Sequence, residues 1–257
     1  MVIGLERVNV RTLLLELTRK CNLECKHCFR GDSQNIYMNK EIINYIFNNV
    51  CRINTLLLTG GEPLLALEQL KCIRDNIMKD LTNINKVSIV TNGTVLSLDI
   101  IDILNDISTR AYLEIDISDD KFHDLEIYNK GLERIKERNK KLFDKNFCLL
   151  NGEQHKVYLV HKIGRAKNLT EQELDKINEN SNIKYILGTE KALSNYRDKY
   201  PLPTLSEDNV IEGTLNIDVH GNITPTFLSY SEEDMINYNV KNYKSLKLAI
   251  KNMSSKK

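Results

Sequence analysis

The chain has 257 residues, 41% of them hydrophobic, with 36 Lys and Arg against 35 Asp and Glu and a formal charge of +1. That balance gives neither a nucleic acid nor an acidic membrane anything to bind, and the apolar content suffices for the core of one large α/β domain with a compact tail. No run approaches the roughly 20 apolar residues that span a bilayer, and no signal-peptide pattern opens the sequence, so a cytoplasmic location is expected.

In chain order, Thr12 to Thr18 is a short apolar run bounded by charges and reads as a first strand. The run Cys21-Asn-Leu-Glu-Cys25-Lys-His-Cys28 follows at once, on a loop leaving the C-terminal end of that strand, where α/β folds place their chemistry. Three thiolates on one loop can hold three irons of a four-iron cluster and leave the fourth open to a ligand. Three cysteines with His27 beside them also offer themselves to zinc. A structural zinc site needs a fourth ligand, however, and His27 sits between two of the cysteines, where the loop can hardly aim it at the same metal.

Helical spacing over Lys40–Phe47 is followed by a second strand, Ile53–Leu58, and by Thr59-Gly60-Gly61-Glu62-Pro63. Two residues without a Cβ let a backbone approach a ligand closely, and Glu62 adds a carboxylate suited to an ammonium group. A helix over Leu65–Met78 leads to a third strand, Lys86–Thr91, which ends in the turn signal Asn92-Gly93. After a helical stretch at Leu98–Asn105, Tyr112–Ile117 is a fourth strand, running into Ser118-Asp119-Asp120-Lys121-Phe122-His123. Ser118 and Asp119 suit ligand contact and equally suit capping of the helix expected over Leu125–Arg138. The fifth strand is expected at Lys156–Lys162, followed by Ile163-Gly164-Arg165-Ala166 and a helix over Glu171–Ile177. Arg165 is either a planar donor fork for a carboxylate or an exposed residue at a helix entry.

Residues 188–212, with Tyr196, Pro201 and Pro203, are the least regular stretch and suit a cover for an open side. Ile211–Asp218, the turn His220-Gly221-Asn222 and Ile223–Thr226 read as strand, turn and return strand, with a helix near Lys244–Ile250. Cys51, Cys72 and Cys148 are scattered singly and read as core residues. Strand–helix alternation at this period implies parallel strands, and five or six repeats are too few for a closed eight-stranded barrel. The expected fold is α/β, a partial (β/α)6-type barrel over 1–187, with an irregular lid segment, hairpin and helix over 188–257.

The three cysteines, spaced by three and then two residues, together with Gly60-Gly61-Glu62-Pro63, resemble the radical S-adenosylmethionine (SAM) superfamily. Thr91-Asn92-Gly93, the polar residues after Tyr112–Ile117, and Gly164-Arg165-Ala166 fit the same family in order, so the resemblance covers roughly residues 11–166. It implies a [4Fe-4S] cluster on Cys21, Cys25 and Cys28 and SAM chelated to the open iron through its amine and carboxylate. Gly60, Gly61 and Glu62 then place the methionine amine, while Asn92, Ser118, Asp119 and Arg165 hold other parts of SAM. His123 also falls at a common family position, where a solvated or structural histidine is the default.

The C-terminal strand–turn–strand resembles the start of the SPASM or "twitch" extension of peptide-modifying radical enzymes. Thr226 stands near where that extension has a cluster cysteine, and none follows, so a single iron–sulfur site is expected. The implied chemistry is one-electron cleavage of SAM to methionine and a 5′-deoxyadenosyl radical, which removes a hydrogen atom from the substrate, with the protein supplying orientation and exclusion of water. An external one-electron reductant such as flavodoxin or ferredoxin is the implied partner. The substrate is a peptide in one reading and a small metabolite or nucleotide in the other, and a non-catalytic cluster- and SAM-binding sensor is the alternative from a different class.

Overall fold

The computed structural model describes residues 6–118, 147–151, 157–161, 164–179, 184–188, 202–224 and 238–254. Strands β1 (Val8–Glu16), β2 (Val50–Thr59), β3 (Asn83–Thr91), β4 (Tyr112–Ile117) and β5 (Phe147–Asn151) lie side by side, each parallel to the next. Helices α1 (Lys40–Asn49), α2 (Leu67–Met78) and α3 (Leu98–Ser108) connect the first four. Strands β6 (Val157–His161) and β7 (Lys184–Gly188) form a separate parallel pair, joined through α4 (Glu171–Glu179). In the tail, β8 (Thr204–Leu205), β9 (Val210–Ile217) and β10 (Ile223–Thr224) precede α5 (Leu246–Ser254). The result is the expected α/β architecture, an open and mainly parallel sheet.

Alternation explains which face each strand buries. Leu13, Leu15, Leu56, Leu58, Val87, Ile89, Leu113 and Ile115 join Ile42, Ile46, Leu70, Ile73, Ile100 and Leu104 of the helices in one core. Burying each such side chain contributes roughly 1.5–3 kcal/mol. Positions of the opposite parity, among them Thr12, Thr55, Lys86, Ser88 and Glu114, face away from the helices and are mostly polar. Local signals start the helices where the apolar periodicity does. Asn39 caps α1 by accepting from Glu41 N at 2.8 Å, and Ser97 caps α3 by accepting from Ile100 N at 3.3 Å.

Several expectations change. The strand expected fifth is β6, bonded to β7, while the edge of β4 is taken by β5, which lacks a clear alternating pattern. The tail is woven into the barrel: β9 runs parallel to β1, with Leu15 opposite Ile217, and β10 returns antiparallel with Ile223 opposite Ile217. Of the stretch 188–212, the described part forms β8 against the N-terminal end of β9, at the end of the sheet away from the cysteine loop. Leu202 and Leu205 pack on the core there.

Cys51 is exposed, because two successive residues of β2, Cys51 and Arg52, lie outside the helix-covered stretch, whereas Cys72 is half-buried against the core. The side chain of Cys148, the helix expected at 125–138, and Tyr196, Pro201 and Thr226 lie outside the described residues. Among the described residues no helix is long and apolar enough to cross a membrane.

Candidate functional site

The chain leaves β1 and returns to α1 as a loop closed at its base by backbone pairs. Arg19 N donates to Ile36 O at 3.0 Å, Gln34 N to Arg19 O at 3.1 Å, and Met38 N to Leu17 O at 2.8 Å. Ser33 closes the next rung, accepting from Cys21 N and donating to Cys21 O, both at 2.9 Å. Inside this loop Cys21, Cys25 and Cys28 are partly exposed, and none of them is in a disulfide. The Cys21 sulfur receives two N–H donors, from Leu23 N at 3.5 Å and Asn92 Nδ2 at 3.9 Å. Burial pushes the Cys21 thiol up, the Leu23 N–H opposes this, and the charges of Glu62, Cys25 and Cys28 add to the rise, so the three sulfurs sit within electrostatic reach of one another. Among the described residues no three His, Cys, Asp or Glu side chains are drawn together around a single metal ion.

The second segment leans on the first. Gly61 N donates to Thr18 O at 2.7 Å and Glu62 N to Lys20 O at 2.8 Å. A Cβ on Gly60 would lie 2.5 Å from Thr18 O, and one on Gly61 would overlap Lys20 O. These two glycines thus allow a close approach to the backbone leading into Cys21. Glu62 is 1% exposed. Its Oε1 accepts from Leu64 N at 2.9 Å and Thr91 Oγ1 at 2.7 Å, and its Oε2 from Asn92 N at 2.7 Å. The carboxylate therefore caps the 3-10 turn Pro63–Leu65 and ties it to the end of β3. Asn92 carries the chain of bonds onward: its Nδ2 donates to Asn22 Oδ1 at 3.0 Å, and its Oδ1 accepts from Thr94 N at 3.0 Å.

Arg165 reaches the cysteine loop from the other side. Its backbone N donates to Cys28 O at 2.9 Å, Nε to Cys25 O at 3.1 Å and Nη2 to Leu23 O at 3.4 Å. Gly164, at φ 58°, packs so closely on Cys28 and Phe29 that a Cβ would overlap Phe29 O. Two nitrogens of its planar fork thus bond main-chain carbonyls between the sulfurs, and its Nη1 lies 3.8 Å from the Asp32 carboxylate. Ser118 is half-buried at the exit of β4, its N donating to Thr91 O at 2.9 Å. Asp119 and His123 lie outside the described residues.

Two residues escaped sequence reasoning. Glu16, the last residue of β1, is 2% exposed and pairs with Arg30 Nη1. The available signals were a carboxylate inside an otherwise apolar strand and an arginine two residues after the third cysteine.

The superfamily described as radical SAM has a sequence model that matches residues 15–151, more than half of the chain. The chain belongs to the radical SAM superfamily. Its relatives include a probable GTP 3′,8-cyclase of Methanocaldococcus jannaschii, 36% identical over 95 residues, which are 34% of this chain and 30% of that protein. The GTP 3′,8-cyclase of Clostridium perfringens strain 13 is 27% identical over 164 residues, 58% of this chain and 46% of that protein. The chain thus matches less than half the length of either. Streptococcus suis SuiB bound to the precursor peptide SuiA aligns with TM-score 0.46 at 15% identity, covering 86% of this chain and 60% of that one.

Radical SAM proteins use a [4Fe-4S] cluster and SAM. The residues present fit that cluster: three cysteines outside any disulfide on one loop, one sulfur already facing two N–H donors, which is the donor set and hydrogen-bonding pattern of thiolate ligation.

Proposed function

We propose that the protein binds a [4Fe-4S] cluster through Cys21, Cys25 and Cys28 and cleaves SAM reductively to start hydrogen abstraction from a substrate. The reading is carried by one observation, the three cysteines outside any disulfide on a loop that the segments after β2 and β3 and the Gly164-Arg165 turn all grip. When bound, the cluster supplies the electron that splits the SAM sulfonium into methionine and a 5′-deoxyadenosyl radical.

The chain's own residues position. Gly60, Gly61 and Glu62 present a turn fixed to the cysteine loop for the methionine end of SAM, and Glu62 holds it by capping. Asn92 orients Cys21, Ser118 stands at the exit of β4, Asp119 is kept from the sequence as a further SAM contact, and Arg165 stiffens the loop between the sulfurs. On the face of the sheet turned away from the helices, Lys86 Nζ lies 3.3 Å from Glu114, and the buried Ser88 donates to Glu114 at 3.0 Å. A polar substrate suits such a wall, either a peptide side chain or a nucleotide.

The test is anaerobic reconstitution with iron and sulfide, then reduction by dithionite in the presence of SAM. About four irons per chain and release of 5′-deoxyadenosine are expected, and Cys25→Ala abolishes both. Zinc in place of iron, or four irons with SAM left intact, would refute the reading. Comparing 5′-deoxyadenosine release with added peptides and with added nucleotides then separates the two substrate classes.

A further inference from the structure

Glu16 joins three segments that meet behind the cysteine loop. Its Oε1 pairs with Arg30 Nη1, and its Oε2 accepts from Val219 N at 3.1 Å and lies 3.7 Å from Arg19 Nε. Arg30 extends from the loop two residues after Cys28, its side chain 13% exposed, and its Nη2 reaches Thr59 Oγ1 at 3.4 Å, beside Gly60. Val219 belongs to the turn between β9 and β10, a turn that Asp218 holds by accepting from His220 N and Asn222 N. The pair is therefore buried, bridges the cysteine loop to the tail, and stands next to a cluster ligand.

We propose that Glu16 and Arg30 form a buried charge pair that sets the electrostatic environment of the cluster and pins the C-terminal turn to it. This rests on the cluster reading above. A cluster's potential responds to nearby charge, hydrogen bonds and solvent exposure, and water screens a buried charge poorly. The Arg30 guanidinium stabilises the more negative, reduced cluster, and the Glu16 carboxylate opposes it. The tail has no thiolate at the cluster, yet through Val219 it fixes the second oxygen of Glu16. Both residues are positioning residues: they act through the sulfurs and touch neither SAM nor substrate.

The experiment is a redox titration of the reconstituted full chain followed by electron paramagnetic resonance, without SAM. Glu16→Gln is expected to shift the cluster midpoint upward, Arg30→Gln downward, and the double variant to return towards the parent value. Arg30→Lys, which keeps the charge and loses the fork, is expected to leave the midpoint in place. A purely structural role would alter iron retention without opposite shifts. Midpoints that stay put, or that move the same way in Glu16→Gln and Arg30→Gln, overturn the proposal. If an unpaired buried charge prevents one single variant from holding iron, the other single variant decides against the double: a midpoint shifted in its expected direction and brought back in the double variant supports the proposal, and an unshifted midpoint overturns it. Failure of the parent chain itself to bind four irons overturns the cluster reading instead, so the two failures are distinguishable.

Discussion

Two turns leave neighbouring strands at the same end of the sheet, the cysteine loop after β1 and the 218–222 turn after β9, and they are held by different means. The cysteine loop is gripped from a distance in sequence: Asn92 on Cys21, the Gly60–Glu62 backbone on Thr18 and Lys20, and Arg165 on Leu23 and Cys25. The tail turn is mostly self-made, with Asp218 accepting from His220 and Asn222 and with Asn239 donating to His220 O at 3.0 Å. A loop that must hold three ligands in one arrangement depends on the whole sheet, whereas a turn that only reverses the chain closes on its own side chains. Damage to distant residues should therefore reach the cysteines, and damage to the tail turn should stay local.

The sharpest way to break this contrast is to compare two glycines. Gly61→Ala pushes a Cβ into Lys20 O, a backbone contact that cannot swing away, and is expected to cost about 3 kcal/mol or more and to lower iron uptake. Gly213→Ala in β9 meets nothing within 4 Å, so only its φ of 79° is strained, at about 1–2 kcal/mol, with iron uptake unchanged. Thermal unfolding and iron content of both variants check this, and equal iron loss in both would erase the distinction. Arg165→Met comes next. It removes the bonds to Cys25 O and Leu23 O and leaves those carbonyls without their charged donor, at about 2–3 kcal/mol. Iron occupancy after chelator challenge should fall, although the residue lies 140 positions from Cys25.

In the tail, Asp218→Ala strips the turn of its acceptor and costs about 2 kcal/mol in urea unfolding. The expected iron content stays at four per chain. Loss of the cluster in this variant would mean that the tail turn is no more local than the cysteine loop.

The same division governs what the sequence discloses. Strands β1 to β4 are legible because each is a short apolar run with a turn signal behind it, and Cys21, Cys25 and Cys28 stand out by their spacing and by their place after the first strand. What Glu62, Asn92 and Arg165 bond to is not, since each partner lies on another strand and depends on strand order. The place of β9 beside β1 is hidden for the same reason: an apolar run of that length fits any neighbour in the sheet. Glu16 was readable as an anomaly, a carboxylate where Leu13, Leu14 and Leu15 set an apolar pattern, but its pairing with Arg30 appears only once the loop folds back. That Gly60 and Gly61 also meet the backbone of Thr18 and Lys20 is hidden in the same way, because that backbone belongs to the loop after another strand.

The smallest effect tests the tail's attachment rather than its turn. Tyr45 of α1 donates its hydroxyl to Tyr243 O at 3.1 Å, and burial pushes its pKa up to about 12. The unfolded chain ionises tyrosine near 10, so the unfolded state releases this proton first as pH rises. The stability linked to Tyr45 is fully present below pH 10 and is lost as pH climbs from 10 towards 12, by about 1 kcal/mol after allowing for its partial exposure to solvent. Tyr45→Phe removes the bond, costs about 1 kcal/mol at neutral pH, and should flatten that alkaline loss relative to the parent chain. Urea midpoints at pH 7, 9 and 10.5 for the two proteins measure it. An alkaline slope identical in both would mean that α1 holds the tail by apolar packing alone, through contacts such as Ile42 against Gly221.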